Sequence, residues 1–233
     1  MITFTPYASS SSGNLYTVSD GITTIMLECG LPWRKIRESL SFKTSEISAV
    51  CLTHFHLDHA KGAADAAKAG LDIYASRGTF NALKVPPHRA NEISDGKQFT
   101  IGSWSILPFS TIHDTEGSLG FYMSSVNKEA CLFMTDTAYS PVKFKDLSVI
   151  AVECNFADDI LAYNIQRGAL PAIVGHRTRR SHLSLETLKG MLKANDLSKL
   201  EKIYLLHMSS GNSDEMRFKR EIMEITGVPV YVC

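Results

Sequence analysis

Three imidazoles and a carboxylate fall within six residues in Thr53-His54-Phe55-His56-Leu57-Asp58-His59. Neutral imidazole and carboxylate are the ligands that Zn, Mn and Fe ions use. The cluster follows directly on the apolar run Ile47–Leu52, so a buried strand would deliver it at its carboxyl end. With a helix starting at Asp58, His54 and His56 would point one way, and Asp58 and His59 would aim at a second point nearby. Two such points need about eight bonds or more in total. Further ligands are therefore expected as lone His or Asp residues where other apolar runs stop. His113 follows Trp104–Phe109 closely, Asp136 follows Ala130–Met134, and His207 ends Ile203–Leu206.

The elements that must position these residues are mostly short and apolar. Runs rich in Val, Ile, Phe and Tyr occur at Ile22–Leu27, Ile47–Leu52, Leu71–Ala75, Trp104–Phe109, Leu119–Met123, Ala130–Met134 and Ser148–Val152. Two more follow at Lys202–Leu206 and Val228–Val232, and all have the length and composition of buried sheet strands. Helices are expected over the Ala-rich stretch Asp58–Ala69, which stops at Gly70, and over Ser184–Lys193, with Leu185, Leu188 and Leu192 on one stripe. A longer one is expected over Asn212–Thr226. The order is neither a strict β-α-β-α alternation nor all-β. Two sheets packed face to face with helices outside would accommodate it.

Composition narrows the function classes. The 233 residues carry 24 Lys+Arg against 24 Asp+Glu, which excludes nucleic-acid binding by bulk charge alone and leaves only a local patch. With 44% apolar and 21% charged residues the chain is an ordinary globular one, read as one domain over residues 1–233. The five cysteines (Cys29, Cys51, Cys131, Cys154, Cys233) form an odd set without a CxxC pair. They read as free thiols in a reducing compartment. No basic region followed by an apolar core opens the chain, and no run approaches the ~20 apolar residues of a bilayer span. The expectation is a cytoplasmic protein without a membrane partner.

The series HxHxDH, a lone His, a TDT-type Asp and a late His resembles the metallo-β-lactamase superfamily over the whole chain. The resemblance implies an α+β fold, a four-layer αββα sandwich with two divalent metal ions (Zn or Mn, with Fe a further option) at one edge of the sheets. By resemblance, His54, His56 and His113 hold the first metal and Asp58, His59 and His207 the second. Asp136 bridges both, and a shared hydroxide is the nucleophile. Within the superfamily, Ala8-Ser9-Ser10-Ser11-Ser12-Gly13-Asn14 and Leu27-Glu28-Cys29-Gly30-Leu31 resemble the opening of the YycJ-like (WalJ-type) branch. Val152-Glu153-Cys154-Asn155-Phe156 and Ser181-His182-Leu183-Ser184 resemble two later elements of that branch. Its members are metal-dependent DNA exonucleases or their close relatives. A comparable Glu and His in ribonuclease Z make Glu153 and His182 the implied general-acid pair, with Asp58 orienting the nucleophile. Glu28 departs from the usual Asp of the second element. The stretch of about 70 residues between Asp136 and His207 is too short for the cap domain of the β-CASP enzymes, and no Gly-rich arm of the ribonuclease Z kind is present.

For the substrate, Arg167, Arg177, Arg179 and Arg180, with His176 among them, supply a basic loop just before His182. Guanidinium groups match phosphate oxygens, so Arg177, Arg179 and Arg180 are candidate substrate contacts. Ser9–Ser12 with Asn14 offers either a phosphate cradle or a plain loop between strands, and Ser12 and Asn14 are the candidate contacts there. Trp33 and Trp104 read as core or rim aromatics. Tyr139 and Tyr163, expected in loops near the site, could stack on a base. The resulting expectation is a phosphodiesterase acting on DNA ends as an exonuclease. The alternatives are RNA 3′ ends or cyclic nucleotides, and then thioesters or lactones.

Overall fold

The computed structural model describes residues 1–233. Two sheets form its centre. The first has six strands in sequence order, β1 (Thr3–Ser10), β2 (Gly13–Ser19), β3 (Thr24–Leu27), β4 (Ile47–Cys51), β5 (Ile73–Ala75) and β6 (Ala90–Glu92). The second has seven, β7 (Phe99–Ile101), β8 (Trp104–Ser110), β9 (Leu119–Ser125), β10 (Ala130–Met134), β11 (Leu147–Glu153), β12 (Lys202–Leu206) and β13 (Val230–Val232), also in sequence order across the sheet. Each begins as an antiparallel meander and continues as parallel strands: β1 to β3 and then β3 to β6, β7 to β10 and then β10 to β13. Parallel strands need crossovers, and these are the helices α1 (Trp33–Ser39), α2 (Leu57–Ala60), α3 (Ala63–Lys68) and α4 (Arg77–Ala82) on the first sheet. The second sheet carries α5 (Asp158–Gln166), α6 (Ala172–Ser181), α7 (Leu185–Ala194) and α8 (Glu215–Thr226).

Burial follows from this layering. The inner faces of both sheets meet through Phe4, Tyr16, Val18, Ile25 and Leu27 on one side and Trp104, Ile106, Phe121, Phe133 and Val149 on the other. The outer face of the first sheet packs Met26, Val50 and Ile73 against Ile36, Ala63, Ala66 and Ala67. The outer face of the second packs Leu132, Ile150, Val152 and Leu205 against Leu185, Leu188, Phe218 and Ile222. The result is an αββα sandwich. Trp104 is a core residue whose Nε1 donates to the Thr23 carbonyl at 3.0 Å, tying the sheets together.

The nine expected strands are all present. Those at Ile22, Leu71 and Val228 start two residues later than their apolar runs, at Thr24, Ile73 and Val230. Missed were β1 and β2, whose Ser, Thr and Tyr content hides the strand, and the short β6 and β7. The helix expected over Asp58–Ala69 is broken into α2 and α3 at Lys61-Gly62. The reason is packing: a Cβ on Gly62 would stand 2.6 Å from the Leu31 carbonyl oxygen, and Gly62 N–H donates to Cys29 O at 2.7 Å. The basic stretch expected as a loop is α6, entered through Pro171 at its N-cap. Tyr163 lies in α5 rather than a loop. Ser184 caps α7 through Thr187 N–H, and Asp214 caps α8, which starts three residues after the expected Asn212. All five cysteines are free, four of them buried. No helix is long and apolar enough to cross a membrane.

Candidate metal centre

Strands β3, β4, β8, β10, β11 and β12 all end at one edge of the sandwich, and the chemistry-bearing residues sit in the turns that follow. Glu28 follows β3, His54 to His59 follow β4, and His113 follows β8. Asp136 follows β10, Glu153 ends β11, and His207 follows β12. Glu28, Asp136 and His207 take positive φ angles of 64°, 43° and 51°. A left-handed residue with a side chain costs about 1–3 kcal/mol unless its surroundings enforce it. Here it turns each side chain back over the strand ends toward a common point.

His54, His113 and His207 are each tethered on Nδ1 and present Nε2 inward. His54 Nδ1 is 2.9 Å from Thr53 Oγ1, which itself donates to Glu28 Oε1 at 2.5 Å. His113 Nδ1 donates to the Ser181 carbonyl at 2.8 Å. His207 Nδ1 lies 3.2 Å from Glu153 Oε1, and His59 Nδ1 lies 3.3 Å from Glu28 Oε1. For His54, His113 and His207 such outer contacts favour the hydrogen on Nδ1 and leave Nε2 as the lone pair, whereas His59 Nδ1 has no hydrogen-bond partner and its Nε2 faces Asn14 Nδ2. His56 turns the other way. Its Nδ1 stands 3.1 Å from His54 Nε2 and 3.3 Å from His113 Nε2.

Two triads result. His54, His56 and His113 converge on one point, and Asp58, His59 and His207 on another. In the second, Asp58 Oδ2 is 3.4 Å from His59 Nε2 and 3.5 Å from His207 Nε2. Asp136 lies between them, its Oδ2 at 3.5 Å from His59 Nε2, 3.7 Å from His113 Nε2 and 3.9 Å from His54 Nε2. Lone pairs this close repel unless a cation lies among them. The buried Asp136 Oδ1 and His207 Nε2 have no hydrogen-bond partner, which native interiors rarely tolerate. Divalent metal therefore fits the donor set.

The electrostatics agree. Burial, and then the neighbouring imidazoles His59 and His113 respectively, push His54 and His56 below their ordinary values, into the neutral state a metal requires. Burial would raise Asp58 and Asp136, but His207 and His59 hold both carboxyls below the usual range. Burial would lower His207, yet the Asp136 charge and bonds to Asp58 and Glu153 raise it to about 10, and His59 rises well above its ordinary value against the same burial. Without metal, protons on these rings balance the buried carboxylates.

Glu153 is wholly buried and takes four donors. Its Oε1 faces His182 Nδ1 at 2.6 Å and His207 Nδ1 at 3.2 Å, and its Oε2 accepts from Thr137 N–H at 3.1 Å and Leu183 N–H at 3.0 Å. His182 caps the end of α6 and is partly exposed.

Every expected metal-site residue is in this cluster, as are Glu153 and His182. The expected substrate contacts divide. Asn14 is wholly buried, and its Nδ2 lies 3.1 Å from Ser10 O, 3.2 Å from Asp58 O and 3.2 Å from His59 Nε2. It is a brace for the metal-site turn, out of reach of any substrate. Ser12 is exposed at the tip of the β1–β2 turn, its N–H on Ser10 Oγ. Arg177 lies at the centre's rim, paired with Asp114 at 2.8 Å. Arg179 turns to Asp158 on α5, at 3.4 Å. Arg180 shares a cavity with Arg177 beside His113, whereas Arg167 packs over Tyr163. Tyr139 lines a separate cavity against α7. Sequence reasoning missed Asp114, whose Oδ1 is 3.2 Å from His113 Nε2; its signal was adjacency to His113. It also left Glu28 without a role, and the longer side chain reaches both Thr53 and His59. Ser9, read as part of a phosphate cradle or a plain loop, lies in β1, and its Oγ accepts from His207 N–H at 2.9 Å.

This layering and this cluster define a metallo-β-lactamase-fold hydrolase. The model of the Beta-lactamase superfamily domain matches residues 23–208, and the chain belongs to that family. Within it the chain falls in the YycJ-like branch. It is 27% identical over 226 residues to Exodeoxyribonuclease WalJ of Streptococcus pneumoniae, covering 88% of this chain and 81% of the relative. It is also 27% identical over 223 residues to Exodeoxyribonuclease YycJ of Bacillus anthracis, covering 90% and 83%. Among solved structures, the metallo-beta-lactamase fold protein YhfI of Bacillus subtilis superposes with a TM-score of 0.71. It is 15% identical, with 100% of this chain and 97% of that one covered, a likeness of fold.

Proposed function

We propose that this protein is a metal-dependent exodeoxyribonuclease, a phosphodiesterase acting on DNA ends. The observation that carries the reading is the pair of ligand triads with Asp136 between them and the Glu153–His182 pair directly beside them. His54, His56 and His113 would hold one divalent ion and Asp58, His59 and His207 the other, Zn or Mn in the first instance. Bound there, such ions supply Lewis acidity toward the phosphodiester and lower the pKa of water.

The chain's own residues do the rest. Asp58, at the rim and partly exposed, accepts a hydrogen from the attacking water and aims its lone pair at phosphorus. Glu153 takes the Nδ1 hydrogen of His182, so the second proton of a protonated His182 sits on Nε2, the atom away from Glu153. That proton goes to the leaving oxygen. Asn14 and Ser9 hold the Asp58–His59 turn and the end of β12 in register. Arg177 and Arg180 at the rim bring a phosphate strand to the edge without reading its bases. DNA as the substrate is supported by the curated relatives, which carry the name exodeoxyribonuclease.

The test is digestion of end-labelled linear duplex DNA with Mn, with Zn and with chelator, beside closed circular DNA, single-stranded RNA and Asp58→Ala. The expected result is metal-dependent shortening of the linear duplex alone, absent in Asp58→Ala. Intact DNA with metals demonstrably bound would overturn the reading and move the substrate to RNA or cyclic nucleotides.

A further inference from the structure

Beside the metal centre lies a cavity of about 380 Å³, walled by His113 and Asp114 on one side and by Ile173, His176, Arg177 and Arg180 of α6 on the other. His113 belongs to both, so a group held in the cavity stands one residue from the centre. His176 and Arg180 are four apart on α6 and share a face. Arg177 sits between them, both its Nε and Nη2 on Asp114 Oδ2 at 3.0 Å and 2.8 Å. Asp114 thereby uses up one guanidinium. Arg180 makes no ion pair, which leaves the cavity a net cation. No Phe, Tyr or Trp lines it and Ile173 is its only apolar wall, so it offers chiefly charge and hydrogen bonds.

We propose that this cavity is a subsite for a terminal phosphomonoester, occupied while the adjoining phosphodiester lies on the metal centre. The inference rests on the phosphodiesterase reading above. A terminal monoester carries a charge of about −1.5 to −2 and three acceptor oxygens, where an internal phosphodiester carries a single charge. Arg180 meets one edge of it, Arg177 turns its outer N–H groups to another, and His176 faces it from the next turn. The enzyme thus selects strand ends that bear a phosphate, and α6 is the element that makes the selection.

The test uses metal-loaded protein and duplex oligonucleotides that differ only in phosphate or hydroxyl at the 5′ or the 3′ end of the labelled strand. The wild type is expected to favour the phosphate at one of these two ends by at least about tenfold in kcat/KM, the effect of one charge-assisted hydrogen bond. Arg180→Ala should bring that ratio close to one, chiefly through KM, and Arg180→Lys should restore part of it. Arg180 is solvent-exposed, so thermal melting should be unchanged by these substitutions. Equal loss on phosphorylated and hydroxyl ends in Arg180→Ala, or a wild type without end preference, would overturn the subsite. Hydrolysis of bis(p-nitrophenyl) phosphate separates the two ideas: turnover without end preference defeats the subsite alone, and no turnover defeats the phosphodiesterase reading. In the latter case equilibrium binding of the same oligonucleotides still decides the subsite. Tenfold tighter binding of a phosphorylated end, lost in Arg180→Ala, supports it, and equal binding overturns it.

Discussion

Glu153→Gln is the most informative single change, because it keeps the shape of the side chain and alters only what its two terminal atoms can do. The carboxylate accepts two imidazole hydrogens at Oε1 and two backbone hydrogens at Oε2. An amide must turn its NH₂ toward one pair. Turned to Thr137 and Leu183, it leaves two buried N–H groups without acceptors, at about 1–3 kcal/mol each. Turned to His182 and His207, it can be satisfied, because each ring can move its hydrogen from Nδ1 to Nε2 and accept at Nδ1. The second orientation costs less and wins. It places a hydrogen on His207 Nε2, the atom that faces Asp58 and should hold the second metal.

The variant is therefore expected to fold, and to lose affinity at the second triad while keeping the first. Outer-shell partners of this kind change metal affinity by about 10–100-fold, or about 1.4–2.7 kcal/mol at 1.36 kcal/mol per decade. Elemental analysis after dialysis against a weak chelator should find about one equivalent of metal where the wild type keeps two, and titration calorimetry should locate the lost affinity in the weaker site. Excess metal should refill the site without restoring full turnover, because His182 also loses the partner that orients it. Two metals bound with wild-type affinity, together with turnover within about threefold, would refute the tautomer assignment and the role given to Glu153.

Three further outcomes are expected. His182→Ala should lower turnover by about 10²–10⁴-fold, the usual weight of a general acid, with metal content unchanged; loss of metal in that variant would show the ring to be a ligand or a brace. Chelation should lower the melting temperature, since metal at about 100 times its Kd stabilises by about 2.7 kcal/mol per site, or about 5–11 °C for a chain of this size. An unchanged melting curve through chelation and metal return would count against a resident metal. Burial pushes the Cys131 thiol up to about 12 and that of Cys233 up to about 11. A raised thiol pKa suppresses the thiolate at neutral pH and releases it as pH rises, so Ellman's reagent should find only the half-buried Cys233 in the folded protein. That reaction should be slow at pH 8 and speed up roughly tenfold per pH unit toward pH 11, whereas denaturant should release all five thiols; several fast thiols in the folded state would contradict the packing.

Much of the site was legible because its residues stand where apolar strands stop. A buried run such as Ile47–Cys51 or Ala130–Met134 announces itself by composition, and a His or Asp just beyond it has no apolar role to play. What stayed hidden has a physical reason in each case. Strand β2 buries Asn14, Tyr16 and Thr17, with Tyr16 bonded to Ser9 and Asn14 and Asn14 bonded to Ser10 and Asp58, so a polar sequence that looks like loop is a strand. Helix α6 is polar on nearly every side and buries only Gly175 and Ser181, leaving no periodic stripe to detect. The fourfold use of Glu153 depends on partners 29 and 54 residues away. The positive φ angles of Glu28, Asp136 and His207 are not legible either: Glu rarely enters that region, and Asp and His, which enter it more often, mostly do not.

These hidden features share one function in the fold. Glu28, Asp136 and Glu153 are carboxylates buried at the meeting of two apolar sheets, where an unpaired charge would be prohibitively unstable. Each faces donors or cationic rings from at least two elements: Glu28 accepts from Thr53 and Thr135 and lies near His59, Asp136 lies against the His59 and His207 rings, and Glu153 accepts from His182, His207 and two backbone N–H groups. Sheet packing, strained turns and buried charge are thus mutually dependent. Remove the positive charge at the centre, whether proton or metal, and the carboxylates repel across the seam between the sheets. The same seam that makes the centre rigid enough for chemistry makes the fold depend on what the centre binds.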